Sequence, residues 1–67
     1  MMDFEVRLTT IDLDGVENNS IVLAATEAEA ELKANAFVGT QTPWGTIVSA
    51  QVWSAGIGAS MLNEFEA

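Results

Sequence analysis

The sequence predicts a small α+β domain in which one helix packs on one face of an antiparallel sheet of three to four strands. Two stretches in which apolar residues occupy every second position, 3–10 and 46–55, predict strands. Between them, Ala24–Gly39 is the one stretch long enough and rich enough in helix-forming residues to cover such a sheet. We therefore expect the order ββαβ or ββαββ in a single domain, residues 1–67.

The first strand is expected over 3–10. Its apolar side consists of Phe4, Val6 and Leu8. Ile11 and Leu13 are also apolar, but they fall in phase with the polar side of the strand. This slip indicates either a bulge or a second apolar surface.

Residues 12–20 are dense in turn formers and are expected to reverse the chain as a hairpin. Asp14–Gly15 is one candidate for the turn, and Asn18–Ser20 is another. The β-branched run that follows, Ser20–Ala25, predicts the second strand. Because this run is apolar on both faces, we expect it at the centre of the sheet, with the helix on one side.

The helix is defined at both ends by the sequence. Thr26 and Glu29 form a capping box, and Gly39 supplies a left-handed end. Lys33 is expected to pair with Glu29 across one turn. The apolar residues form two arcs on the helical wheel, Ala28 with Leu32 and Ala36, and Ala30 with Ala34 and Phe37. We expect the second arc to face the sheet, with Leu32 closing an edge, since alanines let a helix approach strands closely.

The rest of the chain predicts a third strand and one undecided element. In 46–55 one face is formed by Val48, Ala50 and Val52, and the other by Ile47, Ser49, Gln51 and Trp53. A turn is expected around Ile57, between two glycines. Residues 59–66 could form a fourth strand or a short helix, and the alternation of Met61, Asn63 and Phe65 favours the strand.

The composition excludes several kinds of chemistry. The chain has no cysteine and no histidine, which leaves no disulfide, no thiol nucleophile and no base for its hydroxyl groups. Asp12, Asp14 and Glu17 could hold a cation, but the calcium loop of an EF-hand needs ligands where Val16 and Leu23 stand. We therefore expect no catalysis, no metal and no cofactor.

The charge balance indicates the kind of partner. Ten acidic residues face two basic ones, Arg7 and Lys33, for a net charge of −8. Such a field repels nucleic acid and anionic membranes and attracts basic protein surfaces, although solubility alone also explains an acidic surface. The N-terminus resembles no signal peptide and no stretch is long enough to span a membrane, so a cytoplasmic protein is expected.

Six residues are the candidates for partner binding. Glu27 and Glu31 are one helical turn apart, and the hairpin loop adds further carboxylates. Trp44, in a Pro-Trp-Gly loop, is a candidate for an exposed aromatic contact in a protein interface, whereas Trp53 is expected in the core or over the open face of the sheet. The full set is Asp12, Asp14, Glu17, Glu27, Glu31 and Trp44.

The stretch IVLAATEAEAELKANAF, followed by GTIVSAQVW, resembles the strand–helix–strand portion of compact anti-CRISPR proteins encoded by phages. The resemblance covers about half of the chain and is architectural, so it transfers no binding residue. It implies a stoichiometric inhibitor that binds a CRISPR effector complex and blocks target DNA. The acidity fits inhibition by DNA mimicry.

The leading hypothesis is a non-enzymatic acidic inhibitor that occupies a basic nucleic-acid-binding surface of a CRISPR effector complex. Its binding is expected to weaken with salt, and charge reversal of Glu27 and Glu31 is expected to abolish it. One alternative is a small structural or assembly module of a phage, a homodimer or larger oligomer, joined through a second apolar face. That face would comprise Ile11, Leu13, Ile47 and Trp53. Another alternative is an antitoxin-like binder of one basic protein.

Overall fold

The structure is a computed structural model that describes residues 3–56 and 58–67. Within these residues the fold is α+β, with one helix and an antiparallel sheet. The elements are β1 (Phe4–Ile11), β2 (Glu17–Ala24), α1 (Glu27–Phe37), β3 (Gln41–Thr42), β4 (Gly45–Ser54) and β5 (Met61–Glu66). The α+β class, with one helix and an antiparallel sheet, is confirmed, but the described sheet has five strands rather than three to four. The order is ββαβββ rather than ββαβ or ββαββ, because a two-residue strand, β3, precedes β4. Ile57, in the turn expected there, lies outside the described residues.

The sheet is centred on β1, which pairs with β2 on one side and with β4 on the other. The far side of β4 is shared by β3 at its start and β5 along its second half. The expectation that Ser20–Ala25 forms a central strand is therefore wrong, since β2 pairs with β1 alone among the described strands. After β2 the chain leaves the sheet through α1 and returns beyond β1. Ile21 and Leu23 are half exposed, because they pair with Arg7 and Glu5 on the face of the sheet that the helix does not cover.

The bulge considered for the first strand is wrong, because the register of β1 with β2 is unbroken from Phe4 to Ile11, and Leu13 lies in the loop beyond the strand. A bulge is present in β4 instead. Thr9 pairs with Ser49 and Thr10 pairs with Ile47, so Val48 has no partner on β1. This extra residue turns Ile47 toward the core, where it is 3% exposed. The expected faces of this strand, with Val48 on the core side and Ile47 opposite, are wrong at these two positions. In β1 the alternation continues, so the side chain of Thr10 faces the core and is buried.

The hairpin between β1 and β2 has its turn at 12–16. Gly15 takes a positive φ of 81°, and its N–H donates to the Asp12 carbonyl at 3.0 Å. The second candidate turn, Asn18–Ser20, is wrong, because these residues lie inside β2 and pair with β1. Residues 61–66 form a strand, as their alternation favours, with a register shift at Leu62.

The helix faces the sheet with the expected arc. Ala30 and Ala34 are fully buried and Phe37 packs against the core, but Leu32 is 73% exposed, so its expected role at the edge is wrong. The Thr26 hydroxyl oxygen accepts a hydrogen bond from the Glu29 N–H at 3.1 Å, which confirms the cap. The Glu29 carboxylate accepts from Ala25 N–H at 2.7 Å, one residue before the cap.

The core lies between α1 and the sheet. Its buried apolar residues are Val6, Leu8, Ala24, Ala30, Ala34, Ile47, Ala50 and Val52. Four of these are alanines, and therefore the helix sits close to the strands. Phe65 of β5 packs against the edge of this cluster. Within residues 3–56 and 58–67 no helix covers the opposite face of the sheet, and the hairpin loop projects from one end of the sheet.

Candidate partner-binding site

Two loops meet at one end of the sheet. The β1–β2 loop contributes Asp12, Leu13 and Asp14, and the turn between β3 and β4 contributes Pro43 and Trp44. Together they line an open groove of about 350 Å³. We call this surface the tip. The sequence separates the two loops by about thirty residues, and it is the pairing of β4 with β1 that joins them.

Gly45 fixes the junction of the two loops. Its φ is 133°, a conformation that side chains rarely adopt. A Cβ at this position would fall against the carbonyl oxygen of Ile11 and within 2.7 Å of the Asp12 Cα. The backbone of the turn therefore lies directly on the end of β1, which leaves little freedom for one loop to move relative to the other.

Both loops of the tip are held by their own side chains. The Asp12 carboxylate accepts hydrogen bonds from the N–H groups of Asp14, at 2.9 Å, and Val16, at 3.0 Å. In the other loop, the Thr42 hydroxyl accepts from Trp44 N–H at 3.1 Å and donates to the Gly45 carbonyl at 2.9 Å. Asp12 thus has a structural role in the loop, and Asp14 is the more available carboxylate.

The tip presents apolar side chains to solvent beside a carboxylate. Leu13 is fully exposed and Trp44 is 72% exposed. Asp14 is also exposed. Burying large apolar groups of this kind against a partner is favourable, and tryptophan is enriched among the residues that dominate interface energies. A rigid, acidic tip with an exposed tryptophan is suited to binding another protein.

The predicted acidic residues do not form one surface. Glu17 begins β2 next to the tip, where it pairs with Ile11. Glu27 begins the helix at the opposite end of the sheet, beyond Ala24. Since β1 has eight residues, these ends lie about 25 Å apart. Glu31 is partly engaged, because its carboxylate accepts from the Asn63 amide of β5 at 3.2 Å.

Comparisons of the chain with protein-family models, with curated proteins and with solved structures found no match. No helix in the described ranges is long and apolar enough to cross a membrane. Among the same residues, no three carboxylates are grouped so that they could hold a metal ion. The geometry of the tip and of the sheet therefore carries the functional proposal.

The open face of the sheet is organised by polar contacts around Trp53. The Arg7 guanidinium lies 4.0 Å from the centroid of the Trp53 ring, and Arg7 Nε donates to the Glu5 carboxylate at 3.1 Å. Trp53 Nε1 donates to Gln51 at 2.9 Å, and the Gln51 amide donates to Glu64 at 2.7 Å. Trp53 thus takes the second of its two expected places, over the open face.

The second apolar face predicted for oligomerisation is not formed. Ile47 is buried under the helix, Leu13 lies at the tip, and only Ile11 and Trp53 share the open face. The bulge at Val48 reverses the phase of β4 and turns Ile47 inward, and Leu13 lies in the hairpin loop because β1 ends at Ile11. Assignment of residues to one face from alternation fails wherever a strand contains such an extra residue.

Leu13 belongs to the tip rather than to the second apolar face expected from its phase. Two features of the sequence point to the tip. Leu13 stands between two aspartates in a turn-rich stretch, where an apolar side chain has no strand neighbour to pack against. The acidic residues Glu64 and Glu66 were also not selected, and they lie on the open face, since they pair with Gln51 and Ser49.

Proposed function

We propose that the protein is a non-enzymatic acidic binding module that uses the tip to occupy a basic surface of a partner protein. The observation that carries the proposal is the exposed Trp44, held beside Leu13 and Asp14 by two loops that Gly45 locks together. A rigid aromatic contact loses little conformational entropy on binding. The carboxylate beside it selects a partner with lysine or arginine at the contact.

Charge supports the same kind of partner. The net charge of −8 raises the rate at which a basic surface is encountered, and the steering weakens as salt screens it. Leu13 and Trp44 then contribute the part of the binding free energy that salt does not remove. A partner with a basic groove beside an apolar pocket satisfies both requirements.

The resemblance to compact anti-CRISPR proteins suggests which basic surface this is. A CRISPR effector complex holds nucleic acid in positively charged channels, and an acidic protein that fills one would compete with target DNA. We therefore propose an inhibitor of target DNA binding, in which the tip enters such a channel. The open face and the helix remain outside the contact.

The test is competition with target DNA for a purified CRISPR effector complex, measured by fluorescence anisotropy of a labelled target duplex. Trp44→Ala is expected to weaken inhibition by about 30-fold, the size of a strong interface contact of about 2 kcal/mol. Asp14→Lys is expected to weaken it comparably at low salt. Glu27→Lys makes the same change of charge at the other end of the molecule and is expected to have little effect.

The outcomes distinguish the two acidic regions. If Glu27→Lys abolished inhibition and Asp14→Lys did not, the helix rather than the tip would be the contact. Inhibition that is unchanged between low and high salt would contradict the electrostatic part of the proposal. Asp12 is not used for the test, because its carboxylate holds the hairpin loop and its loss would change the shape of the tip. Thermal melts of each variant control for folding.

A further inference from the structure

The two free edges of the sheet differ in how they are protected. The outer edge of β5 carries Glu64 and Glu66, and its register shifts at Leu62. Charged side chains and bulges are the usual means by which proteins prevent an edge strand from pairing with another chain. The outer edge of β2 has neither feature along most of its length. Its register with β1 is unbroken over eight residue pairs, and Glu17 is its one charged residue.

The pairing of β1 with its two neighbours determines which backbone N–H and C=O groups of β2 point away from the sheet. The Asp3 carbonyl accepts a hydrogen bond from Ala55 N–H at 2.8 Å. The backbone N–H and C=O groups of odd-numbered residues in β1 therefore point toward β4, and those of even-numbered residues point toward β2. Given the β1–β2 register, the backbone N–H and C=O groups of odd-numbered residues in β2 point away from β1. These are Glu17, Asn19, Ile21 and Leu23. Lys33 agrees with this assignment, because its ammonium group donates to the outward Leu23 carbonyl at 3.0 Å.

We infer that the β2 edge pairs with the β2 edge of a second copy of this chain, so that two sheets join into one. A second copy is the occupant that fits the charge. The β2 strand carries one charged residue, Glu17, and the ammonium group of Lys33 near its other end is paired with the Glu29 carboxylate at 3.5 Å. Each copy thus meets a nearly neutral strand, although the chains as wholes repel one another.

Lys33 also selects the register. Because it occupies the Leu23 carbonyl, the outward residues whose N–H and C=O groups are both free within the described chain are Glu17, Asn19 and Ile21. An antiparallel two-fold axis at Asn19 places Asn19 opposite its own copy and Glu17 opposite Ile21. Each of these three residue pairs exchanges two hydrogen bonds, and the two Glu17 carboxylates are kept apart. The tips then lie at opposite ends of the joined sheet. The inference does not rest on the proposed function.

Solution mass across a dilution series tests the dimer, with sedimentation velocity as the measurement. We expect a species of twice the 7.1 kDa chain mass, whose dissociation constant falls as salt is raised, since each copy carries a net charge of −8. This response to salt is the reverse of that expected for binding to a basic partner, so the two proposals fail separately. A monomer at every concentration and salt would overturn the inference.

Asn19→Pro tests the edge itself. Its N–H points away from β1, so proline removes a donor that only a second copy uses. We expect the dissociation constant to rise at least tenfold, while Glu66→Pro, which places the ring on the outer side of β5, leaves it unchanged. An unchanged dimer in a folded Asn19→Pro variant would place the interface elsewhere.

A disulfide cross-link tests the same β2 interface even if Asn19→Pro unfolds β2. The chain contains no cysteine, so one introduced thiol reports on one contact. Opposed residues in such a pair have Cα atoms about 5.5 Å apart, within the range of a disulfide. With oxidised glutathione, Asn19→Cys is expected to form covalent dimers at least tenfold faster than Glu66→Cys. Equal rates for the two variants would overturn the β2 interface.

Discussion

The two faces of the sheet are made from alternate residues of the same strands, yet different interactions hold them. Under the helix the buried side chains are apolar, apart from Thr10. On the open face, Arg7 stacks on Trp53 and donates to Glu5, and both Arg7 and Glu5 remain in contact with water. Packed apolar side chains therefore hold the face under the helix, whereas exposed polar contacts hold the open face. Changes under the helix are expected to lower stability more than changes on the open face.

The largest effect is expected at Phe37, the last residue of the helix that covers the sheet. Phe37→Ala is expected to lower the free energy of unfolding by about 3 to 5 kcal/mol, because the ring packs against the core from the last residue of the helix. Leu32→Ala, on the exposed side of the same helix, is expected to cost less than about 0.5 kcal/mol. Urea denaturation measures both. A severe Leu32→Ala variant beside a mild Phe37→Ala variant would show that the other face of the helix packs on the sheet.

The covered face could be predicted from the sequence to a large extent, because its determinants are local. Ala30, Ala34 and Phe37 follow the helical period. Thr26 and Glu29 mark the start of the helix, and they lie only three positions apart in the sequence. Whether the first arc or the second packs inward was decided correctly from residue size. Small side chains at successive turns permit close approach of the helix, and the buried alanines show this approach.

The strand neighbours and the tip could not be predicted, because they depend on pairing between distant residues. Apolar residues on both faces of β2 indicated a central strand, but Ile21 and Leu23 remain exposed at an edge. The single extra residue at Val48 is visible only in the register with β1. The tip requires the backbone of Gly45 to lie against that of Asp12, and no local pattern in the sequence predicts this contact.

The second largest effect is expected at that contact. Gly45→Ala adds a Cβ against backbone atoms as well as backbone strain at φ of 133°, and is expected to cost about 2 to 4 kcal/mol. Gly15→Ala is the matched control, since its φ is 81° but nothing lies within 4 Å of the added atom. It is expected to cost about 1 kcal/mol. Equal destabilisation of the two variants, measured by urea denaturation, would show that the loops are not packed together.

A smaller effect is expected on the open face. Arg7→Met keeps much of the aliphatic length of the side chain and removes the charge over Trp53, at an expected cost of about 1 kcal/mol. Lys33→Met makes the same change of charge at the other basic residue, which lies in a surface pair with Glu29, and is expected to cost about 0.3 kcal/mol. A double-mutant cycle of Arg7→Met with Trp53→Leu measures the stacking directly. A coupling energy of zero would mean that the face is held by burial alone.

The smallest effect is expected at the start of the helix, where the Glu29 carboxylate accepts a hydrogen bond from the segment that joins β2 to α1. The hydrogen bond from Ala25 N–H lowers the pKa of Glu29, and the nearby Lys33 ammonium adds to this against the opposing effect of desolvation. Because the pKa is lower in the folded chain, ionised Glu29 stabilises the fold above its ordinary value of 4.5, and this contribution is lost as pH falls through the folded value.

Wild type is therefore expected to be more stable than Glu29→Gln at neutral pH, and the difference is expected to shrink as the solution is acidified below pH 4.5. Urea denaturation at a series of pH values follows both proteins. Glu27→Gln removes an equal charge from the same helical turn without the contact to Ala25, and it is the control for the loss of one charge. A gap between wild type and Glu29→Gln that stayed constant into acid would mean that the amide replaces the carboxylate fully, and that the cap depends on hydrogen-bond geometry rather than on charge.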